Sequence, residues 1–406
     1  MSKPRTIRGD RLHIAIFGRR NAGKSSLINA ITKQKVSIVS DTPGTTADPV
    51  FKAMELIPIG PIVIIDTAGL DDVGTEIGKL RVERTEKVLK KTDLAILVVS
   101  SDSMDFKYEE DMVGKLKADG IPFIIVINKS DIEISEQVKK WREDKKTVLV
   151  STLTRDGIDD LRAEIVRTYP KDWESPFIKD IIEPGDIIVL VTPIDLGAPK
   201  GRMIMPQVKA IREILDADAI PVICKETELK QALSQLKNPP SLVITDSQVF
   251  DKVNRDVPED IRLTSFSILS IRQKGDLQQM IDGVMVLKSL KPGDEILIAE
   301  TCTHHPTEDD IGRIKIPKWL NEYCGGGLNI TTMQGYDYPD NVDRYKLVIH
   351  CGACTLNGQE VKNRLITASK NNIPVTNYGV LISYLKSAFP RAIMPFKEYE
   401  KVKELL

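Results

Sequence analysis

The amino-acid sequence predicts an α/β protein of three domains: a first with a mostly parallel β-sheet, a small α/β unit, and a third with a parallel β-sheet. The chain has 406 residues, which at about 150 residues per domain is enough for two or three domains. Short apolar runs of strand length alternate with amphipathic, charge-bearing segments, as in βαβ units. Hydrophobic residues make up 41% and charged residues 28% of the chain, so the composition is that of a globular protein with buried cores.

Changes in pattern along the chain divide it into three blocks. The first covers residues 1–170. The segment from Tyr169 to Glu183 is rich in proline and polar residues, and we interpret it as a linker. The second block, 180–263, is a small α/β unit without a cluster of catalytic residues, which favours a structural or dimerisation role. The third block covers 264–406 and resumes the alternation of strands and helices.

Apolar, β-branched runs bounded by polar or glycine-containing segments define the predicted strands. They are His13–Phe17, Ile62–Ile65, Leu94–Val99, Phe123–Ile127, Val148–Val150, Ile187–Thr192, Ile220–Cys224, Leu242–Thr245, Glu295–Ala299, Leu328–Thr332, Lys346–Ile349 and Pro374–Asn377. Helical spacing of apolar residues predicts helices within Gln207–Leu215, Glu228–Leu236 and Leu277–Leu287.

Charge and cysteine content argue against several classes of protein. The chain has 57 Lys and Arg against 58 Asp and Glu, so it has no overall attraction for nucleic acid or anionic membranes, and we expect neither partner. Its apolar runs fall far short of the ~20 residues that span a bilayer. The N-terminus has no signal-peptide core, which predicts a cytoplasmic location. Five cysteines in such a chain do not form a disulfide framework.

A phosphate-binding loop is predicted at the start of the chain. The segment from Gly18 to Ser25 matches the pattern G-x-x-x-x-G-K-[ST] between a predicted strand and a helix that begins at Lys24. The backbone amides and the helix N-terminus attract phosphate, Lys24 meets the outer phosphates, and the Ser25 hydroxyl reaches Mg²⁺. The other predicted nucleotide-binding residues of this loop are Asn21, Ala22, Gly23 and Ser26.

Two further segments carry residues expected to respond to the γ-phosphate. Asp66 follows a predicted strand and can hold Mg²⁺ through water, and the Gly69 amide can contact the γ-phosphate. A hydroxyl of Thr45 or Thr46 can join the Mg²⁺ shell only when a γ-phosphate is present, which is switch chemistry. We therefore predict Lys24, Asp66, Gly69, Thr45 and Thr46 as catalytic residues.

A base-recognition segment predicts that the nucleotide is GTP or GDP. Asn128, Lys129 and Asp131 follow a predicted strand, and the Asp131 carboxylate can accept two hydrogen bonds from guanine. Adenine has no matching pair of donors, so it would leave this carboxylate unpaired. Ser151 follows the next strand and is predicted to support the base. Residues 1–170 are therefore predicted to be a GTP-binding domain.

These segments, in this order, resemble those of translation-factor-class GTPases, in the branch that includes the Era and tRNA-modification GTPases. In that branch, an asparagine at the position of Asn21 accompanies a K⁺ ion beside the phosphates. Leu70 stands where the Ras-like branch has a water-orienting glutamine. The resemblance therefore implies slow, K⁺-stimulated GTP hydrolysis.

A second group of residues with metal-binding chemistry lies in the third block. Cys302 and His304 follow one predicted strand, and His350, Cys351 and Cys354 follow another, so the two loops can meet at one edge of a parallel sheet. Zn²⁺ would accept the three cysteines with His304 as a closed tetrahedron. A [4Fe–4S] cluster would use the three cysteines and leave one iron weakly held. Spacing does not decide between them, and a thiol oxidoreductase using the last two cysteines is a third alternative.

The combination of an N-terminal GTPase, Cys-x-His and a distant His-Cys-x-x-Cys resembles the HydF family, the maturation GTPases and scaffolds of [FeFe]-hydrogenase. The resemblance implies that Cys302, Cys351 and Cys354 bind a [4Fe–4S] cluster, with His304 and His350 near its exchangeable iron. It makes 264–406 the cluster-binding domain and 180–263 the dimerisation domain of a homodimer.

The same resemblance implies a cargo and its partners. Members of that family carry a diiron precursor bearing CO, CN⁻ and a dithiolate bridge, assembled with two radical-SAM maturases and delivered to apo-[FeFe]-hydrogenase. The alternative is a regulatory GTPase with a zinc-stabilised C-terminal interaction module.

Overall fold

The computed structural model describes two compact units, Met1–Glu174 and Ser175–Leu406. Both contain parallel or mostly parallel sheets together with helices, so the predicted α/β class is confirmed. None of the described helices has the length and apolar character needed to cross a bilayer. The described residues are 9, 11–32, 50–67, 85–170, 175–194, 203–301, 310–335, 338–339 and 341–403.

The first unit contains a six-stranded sheet with the strand order β2-β3-β1-β4-β5-β6. Strand β2 is antiparallel to β3, and the other pairs are parallel. Its strands are β1 (Leu12–Phe17), β2 (Val50–Leu56), β3 (Gly60–Asp66), β4 (Leu94–Ser100), β5 (Phe123–Asn128) and β6 (Thr147–Leu149). Its helices, as far as their bounds are described, are α1 (Lys24–Thr32), α2 (Lys107–Ala118), α3 (Glu136–Trp141) and α4 (Ile158–Thr168).

Alternating side chains of β1 fill cores on both faces of this sheet. Ile14 and Ile16 pack in the core that includes residues of α1 and α4. Ala15 and Phe17 pack in the core that includes residues of α2. A parallel strand that is buried on both faces has a continuous apolar sequence, which is why the pattern predicted β1. This packing fixes the end of β1, from which the phosphate-binding loop starts.

The second unit contains two four-stranded, fully parallel sheets with the orders β10-β9-β7-β8 and β12-β11-β13-β14. The strands are β7 (Ile187–Val191), β8 (Ile220–Cys224), β9 (Leu242–Thr245), β10 (Arg262–Ser265), β11 (Glu295–Ala299), β12 (Asn329–Met333), β13 (Leu347–His350) and β14 (Val375–Asn377). The α-helices are α5 (Met205–Asp216), α6 (Leu229–Gln235), α7 (Phe250–Asp256), α8 (Phe266–Lys274), α9 (Leu277–Met285), α10 (Ile316–Cys324), α11 (Gly358–Lys370), α12 (Tyr378–Leu385), α13 (Phe389–Ile393) and α14 (Tyr399–Lys403).

One continuous hydrophobic core joins the two sheets of the second unit, extending from Phe177 to Val402 along the chain. Arg391 of α13, which is half-buried, also links these two parts of the chain. Its guanidinium donates hydrogen bonds to the carbonyl oxygens of Val257 and Ile261, at 3.1 and 3.0 Å. Residues from the second and third predicted blocks therefore share one interior.

The structure corrects the predicted linker. Phe177 and Ile178 are buried in the core of the second unit, and their backbone amides donate to the Glu213 carboxylate of α5 at 2.9 Å each. The segment from Ser175 onward is therefore part of a folded unit, and the interpretation of a linker reaching Glu183 is wrong there. Strand β10 crosses the predicted boundary at residues 263 and 264, and the division into three domains stays a prediction.

Candidate functional site

The phosphate-binding loop has a backbone that only glycine fits at two positions. Gly18 and Gly23 have φ angles of +145° and +92°. A Cβ atom on Gly18 would lie 2.3 Å from the Val98 carbonyl oxygen, and one on Gly23 would lie 2.1 Å from Asn128 Nδ2. Asn21 also has a positive φ, of 63°. The loop therefore leaves β1 in close contact with β4 and β5 and delivers the chain into α1.

The side chains predicted to contact phosphate and Mg²⁺ come together beside this loop. Lys24 is buried, and its ammonium donates to the carbonyl oxygens of Gly18 and of Arg19, the latter at 2.8 Å. Ser25 Oγ donates to Asp66 Oδ2 at 3.1 Å, so a hydroxyl and a carboxylate suitable for Mg²⁺ are adjacent. The predicted catalytic residues Thr45, Thr46 and Gly69 lie outside the described residues.

The predicted base-recognition residues also converge. Asn128 is fully buried, and its amide nitrogen donates to the Ala22 carbonyl oxygen at 2.8 Å, while its amide oxygen accepts from the Thr152 N–H at 3.3 Å. It therefore links the phosphate-binding loop to the loop after β6. The exposed Asp131 carboxylate accepts a hydrogen bond from Ser151 Oγ at 2.5 Å. Ser151 thus orients the carboxylate that is predicted to select guanine.

An ion-pair network that no sequence pattern predicted holds the phosphate-binding loop to α2. Arg19 Nε donates to both carboxylate oxygens of Glu109, at 3.1 and 3.2 Å, and its terminal nitrogen donates to Asp105 at 2.9 Å. Glu109 is 1% exposed, and burial raises its pKa although Arg19 acts in the opposite direction. These partners lie far apart in the sequence, so no local pattern indicated them.

The cysteine-containing loop after β13 lies beside the end of β11. The Cys351 N–H donates to the Ala299 carbonyl oxygen at 3.1 Å. The Cys351 sulfur lies 3.3 Å from the Thr301 N–H nitrogen, 3.2 Å from the Thr301 hydroxyl oxygen and 3.4 Å from the Ala353 N–H nitrogen. Burial and the neighbouring Cys354 raise the pKa of the Cys351 thiol, and these three polar groups act in the opposite direction. Cys354 is half-buried on the same loop.

The structure places His350 between the cysteine loop and α11. The ring is fully buried, with Nδ1 3.1 Å from the Cys351 carbonyl oxygen and Nε2 3.4 Å from a guanidinium nitrogen of Arg364. Burial and the Arg364 charge lower the pKa of His350 to about 3. Both ring nitrogens have partners within the protein, and a place for His350 near the exchangeable iron stays a prediction. The ring connects the cysteine loop to α11.

The convergence of all three predicted cysteine ligands stays a prediction, because Cys302 and His304 lie outside the described residues. Within the described ranges, no group of three or more His, Cys, Asp or Glu side chains could hold a metal ion.

Lys274, at the end of α8, contacts the cysteine loop, which no sequence pattern predicted. Its buried ammonium donates to the carbonyl oxygens of Leu356 and Ala353, at 2.9 and 3.3 Å.

Comparison with protein families assigns the chain. Residues 13–129 match the family model described as a 50S ribosome-binding GTPase, which with the loop geometry defines a P-loop GTPase domain. Residues 177–275 match the hydrogen maturase F dimerization domain, and residues 278–395 match the hydrogen maturase F tetramerization domain. The chain belongs to the HydF family of hydrogenase maturases. The dimerization match includes α8, which the predicted boundary at residue 264 assigns to the third domain.

Individual relatives resemble the GTPase part. The tRNA modification GTPase MnmE of Bacillus pumilus is 34% identical over 180 residues, which is 43% of this chain and 37% of that protein. MnmE of Prochlorococcus marinus (strain NATL2A) is 41% identical over 155 residues, which is 37% of this chain and 33% of that protein. The chain thus spans about a third of the length of these relatives.

Solved structures with similarity to this chain include two GTPases. Era of Aquifex aeolicus bound to GDP and AlF4⁻ has 19% identity and a TM-score of 0.34, covering 52% of this chain and 91% of that one. The G domain of the FeoB iron transporter of T. maritima has 23% identity and a TM-score of 0.29, covering 39% of this chain and 98% of that one.

Proposed function

We propose that the chain is a slow GTP hydrolase that also serves as a [4Fe–4S] scaffold, carrying the diiron precursor of the hydrogenase active site to apo-[FeFe]-hydrogenase. The observation that supports this most directly is the environment of Cys351, where three hydrogen-bonding groups face one buried sulfur at the end of a parallel sheet. A chain that belongs to the HydF family and also has a complete guanine-recognition segment fits both parts of the proposal.

The nucleotide part of the proposal assigns each side chain a task. Lys24 exchanges its carbonyl partners for the β- and γ-phosphates, and Asp131 accepts the N1–H and exocyclic amine of guanine. Mg²⁺ neutralises phosphate charge when bound, and Ser25 and Asp66 would hold it together with Thr46. The Ser25–Asp66 hydrogen bond of 3.1 Å supports this pairing of ligands.

The switch part of the proposal concerns Asn21, Thr45 and Gly69. Asn21, held with a positive φ on the phosphate-binding loop, would contact K⁺ beside the phosphates, and hydrolysis would be stimulated by that ion. Thr45 and Gly69 would respond to the γ-phosphate. Since GTP hydrolysis forms no Fe–CO bond, the nucleotide state would select the partner protein rather than perform the assembly chemistry.

The cluster part of the proposal assigns Cys302, Cys351 and Cys354 as the protein ligands of a [4Fe–4S] cluster, with His304 and His350 close by. Such a cluster supplies one iron with an open coordination position to which a precursor can attach. The chain contributes thiolates, a buried wall and fixed donors around Cys351. Self-association through the two matched C-terminal domains would give at least a homodimer, and the partners would be radical-SAM maturases and apo-hydrogenase.

Anaerobic reconstitution of the full chain tests the scaffold role. We expect a brown protein with about four irons per chain, broad visible absorption and an EPR signal after reduction. Cys351→Ser should lose most of the iron and the signal while GTP hydrolysis is retained, because the nucleotide residues lie in the other unit. A colourless protein that binds one Zn²⁺ tightly instead would overturn the scaffold role and support a regulatory GTPase with a zinc-stabilised interaction module.

A further inference from the structure

We propose that Thr301 is a positioning residue that raises the reduction potential of the cluster by hydrogen bonding to the Cys351 sulfur, an inference that rests on the proposed function. Two groups of this one residue face the same atom. The Thr301 N–H nitrogen lies 3.3 Å and the hydroxyl oxygen 3.2 Å from Cys351 Sγ. Thr301 is itself 4% exposed, so water has little access to these contacts.

The backbone around Thr301 holds it in this orientation. It lies two residues after the end of β11, whose last residue, Ala299, accepts a hydrogen bond from the Cys351 N–H. The Thr301 carbonyl oxygen accepts from the Thr355 hydroxyl at 3.1 Å. The backbone is therefore hydrogen-bonded to the cysteine loop both at Ala299, before Thr301, and at the carbonyl of Thr301 itself. Little reorganisation is needed to present both donors to a metal-bound sulfur.

The chemistry of a metal-bound cysteine fixes the direction of the hydroxyl bond. A thiolate ligand has no proton, so the Thr301 hydroxyl must donate to it when metal is bound. Donors to a ligating sulfur favour the more negative, reduced form of an iron–sulfur cluster and so raise its potential. The Ala353 N–H, 3.4 Å from the same sulfur, adds a third donor that side-chain substitution leaves in place.

A buried threonine hydroxyl needs a partner in any fold, so a purely structural role has to be separated from tuning. Thr301→Val removes the hydroxyl at nearly constant shape, and Thr301→Ser keeps it. Thr376→Val is the matched control, because it removes a fully buried threonine hydroxyl that donates to the Met280 carbonyl oxygen, at 2.9 Å, and not to sulfur. A structural role of the hydroxyl would affect stability or iron content. Only a direct effect on the cluster would change the reduction potential of a protein with full iron content.

The experiment is a dithionite titration, followed by EPR, of the reconstituted full chain and these variants. Thr301→Val should be harder to reduce, with the reduction equilibrium changed about threefold, or about 28 mV at 59 mV per tenfold for one electron. Thr301→Ser and Thr376→Val should have the same reduction potential as the wild-type protein. Iron and sulfide content, measured on each sample, shows whether loading is equal.

The outcomes separate the inference from the proposed function. A wild-type chain that binds no [4Fe–4S] cluster removes the proposed function and this inference with it. If Thr301→Val binds a full cluster and its reduction potential is unchanged, the inference alone is overturned. An equal shift of the potential in Thr376→Val would also overturn it. If Thr301→Val does not bind the cluster, Thr301→Ala is measured instead and must show a lowered reduction potential. A cluster-containing Thr301→Ala with the wild-type reduction potential also overturns the inference.

Discussion

At the scale of single residues, Asn128 and Gly23 determine how the two halves of the nucleotide site fit together. The Asn128 amide bonds to the phosphate-binding loop on one side and to the backbone at Thr152 on the other. Gly23 allows that contact because it has no Cβ, which would lie 2.1 Å from the Asn128 nitrogen. Phosphate binding and base recognition are therefore joined through one buried side chain.

Gly23→Ala should weaken GDP binding because the new methyl group displaces the Asn128 amide. Loss of its two hydrogen bonds, at about 1 kcal/mol each, corresponds to roughly tenfold to a hundredfold weaker binding. Calorimetric titration with GDP measures this. Gly120→Ala is the matched control, since Gly120 also has a positive φ, of +65°, but has no atom within 4 Å of an added Cβ. Equal losses of affinity in the two variants would contradict the displacement of Asn128.

At the scale of secondary-structure elements, helix α8 lies within the dimerization match, and its last residue contacts the cysteine loop. Its last residue, Lys274, is buried and donates to the carbonyl oxygens of Ala353 and Leu356, on either side of Cys354. A positive charge fixed beside a loop that is predicted to hold thiolates favours binding of an anionic cluster. The end of α8 therefore contributes to the shape and the charge of the proposed cluster site.

Lys274→Met should destabilise the second unit and loosen the cysteine loop, because two buried carbonyl oxygens lose a charged donor. We expect a loss of about 1–3 kcal/mol in unfolding free energy and a faster loss of iron to a chelator. Denaturant unfolding and chelation by a ferrous dye measure the two effects. Lys288→Met, at an exposed position, is the control. Unchanged stability and iron retention in Lys274→Met would count against the anchoring role.

Local sequence patterns predicted some elements and contacts of this fold and missed others. Continuous apolar runs predicted β4 and β11 because strands buried on both faces have no polar alternation. The edge strand β2 was missed because Lys52 and Glu55 interrupt its apolar pattern. Motif spacing brought Ser25 and Asp66 together correctly, since parallel strands end at one edge. The pairs Arg19–Glu109 and Lys274–Leu356 depend on tertiary packing, which no local pattern contains.

At the scale of the whole molecule, the nucleotide residues and the cysteine loop belong to different compact units. The guanine site lies in Met1–Glu174, and Cys351 and Cys354 lie in Ser175–Leu406. Each unit has its own sheets and its own cores. We therefore expect the two chemistries to be separable by substitution, even if the nucleotide state controls the exchange of partners.

Ser25→Ala should abolish most GTP hydrolysis, because the hydroxyl beside Asp66 is lost, and should leave the iron content and visible spectrum unchanged. If GTP acts as a partner switch, transfer of the precursor to apo-hydrogenase should also slow by about tenfold or more, the range of a typical coupling free energy. Phosphate release and hydrogenase activation are the two measurements, with Cys351→Ser as the reciprocal variant. Transfer at the wild-type rate without hydrolysis would exclude a switch role for GTP.

The shared interior of the second unit has a consequence for work on fragments. Arg391 satisfies backbone oxygens at Val257 and Ile261, so cutting the chain near residue 264 would strand these groups and expose the apolar surface between the sheets. Fragments cut at that point would be destabilised and would not show how each part behaves in the intact protein. Melting of the region after Ser175 should accordingly occur as one cooperative event, and point substitutions are the sounder way to dissect it.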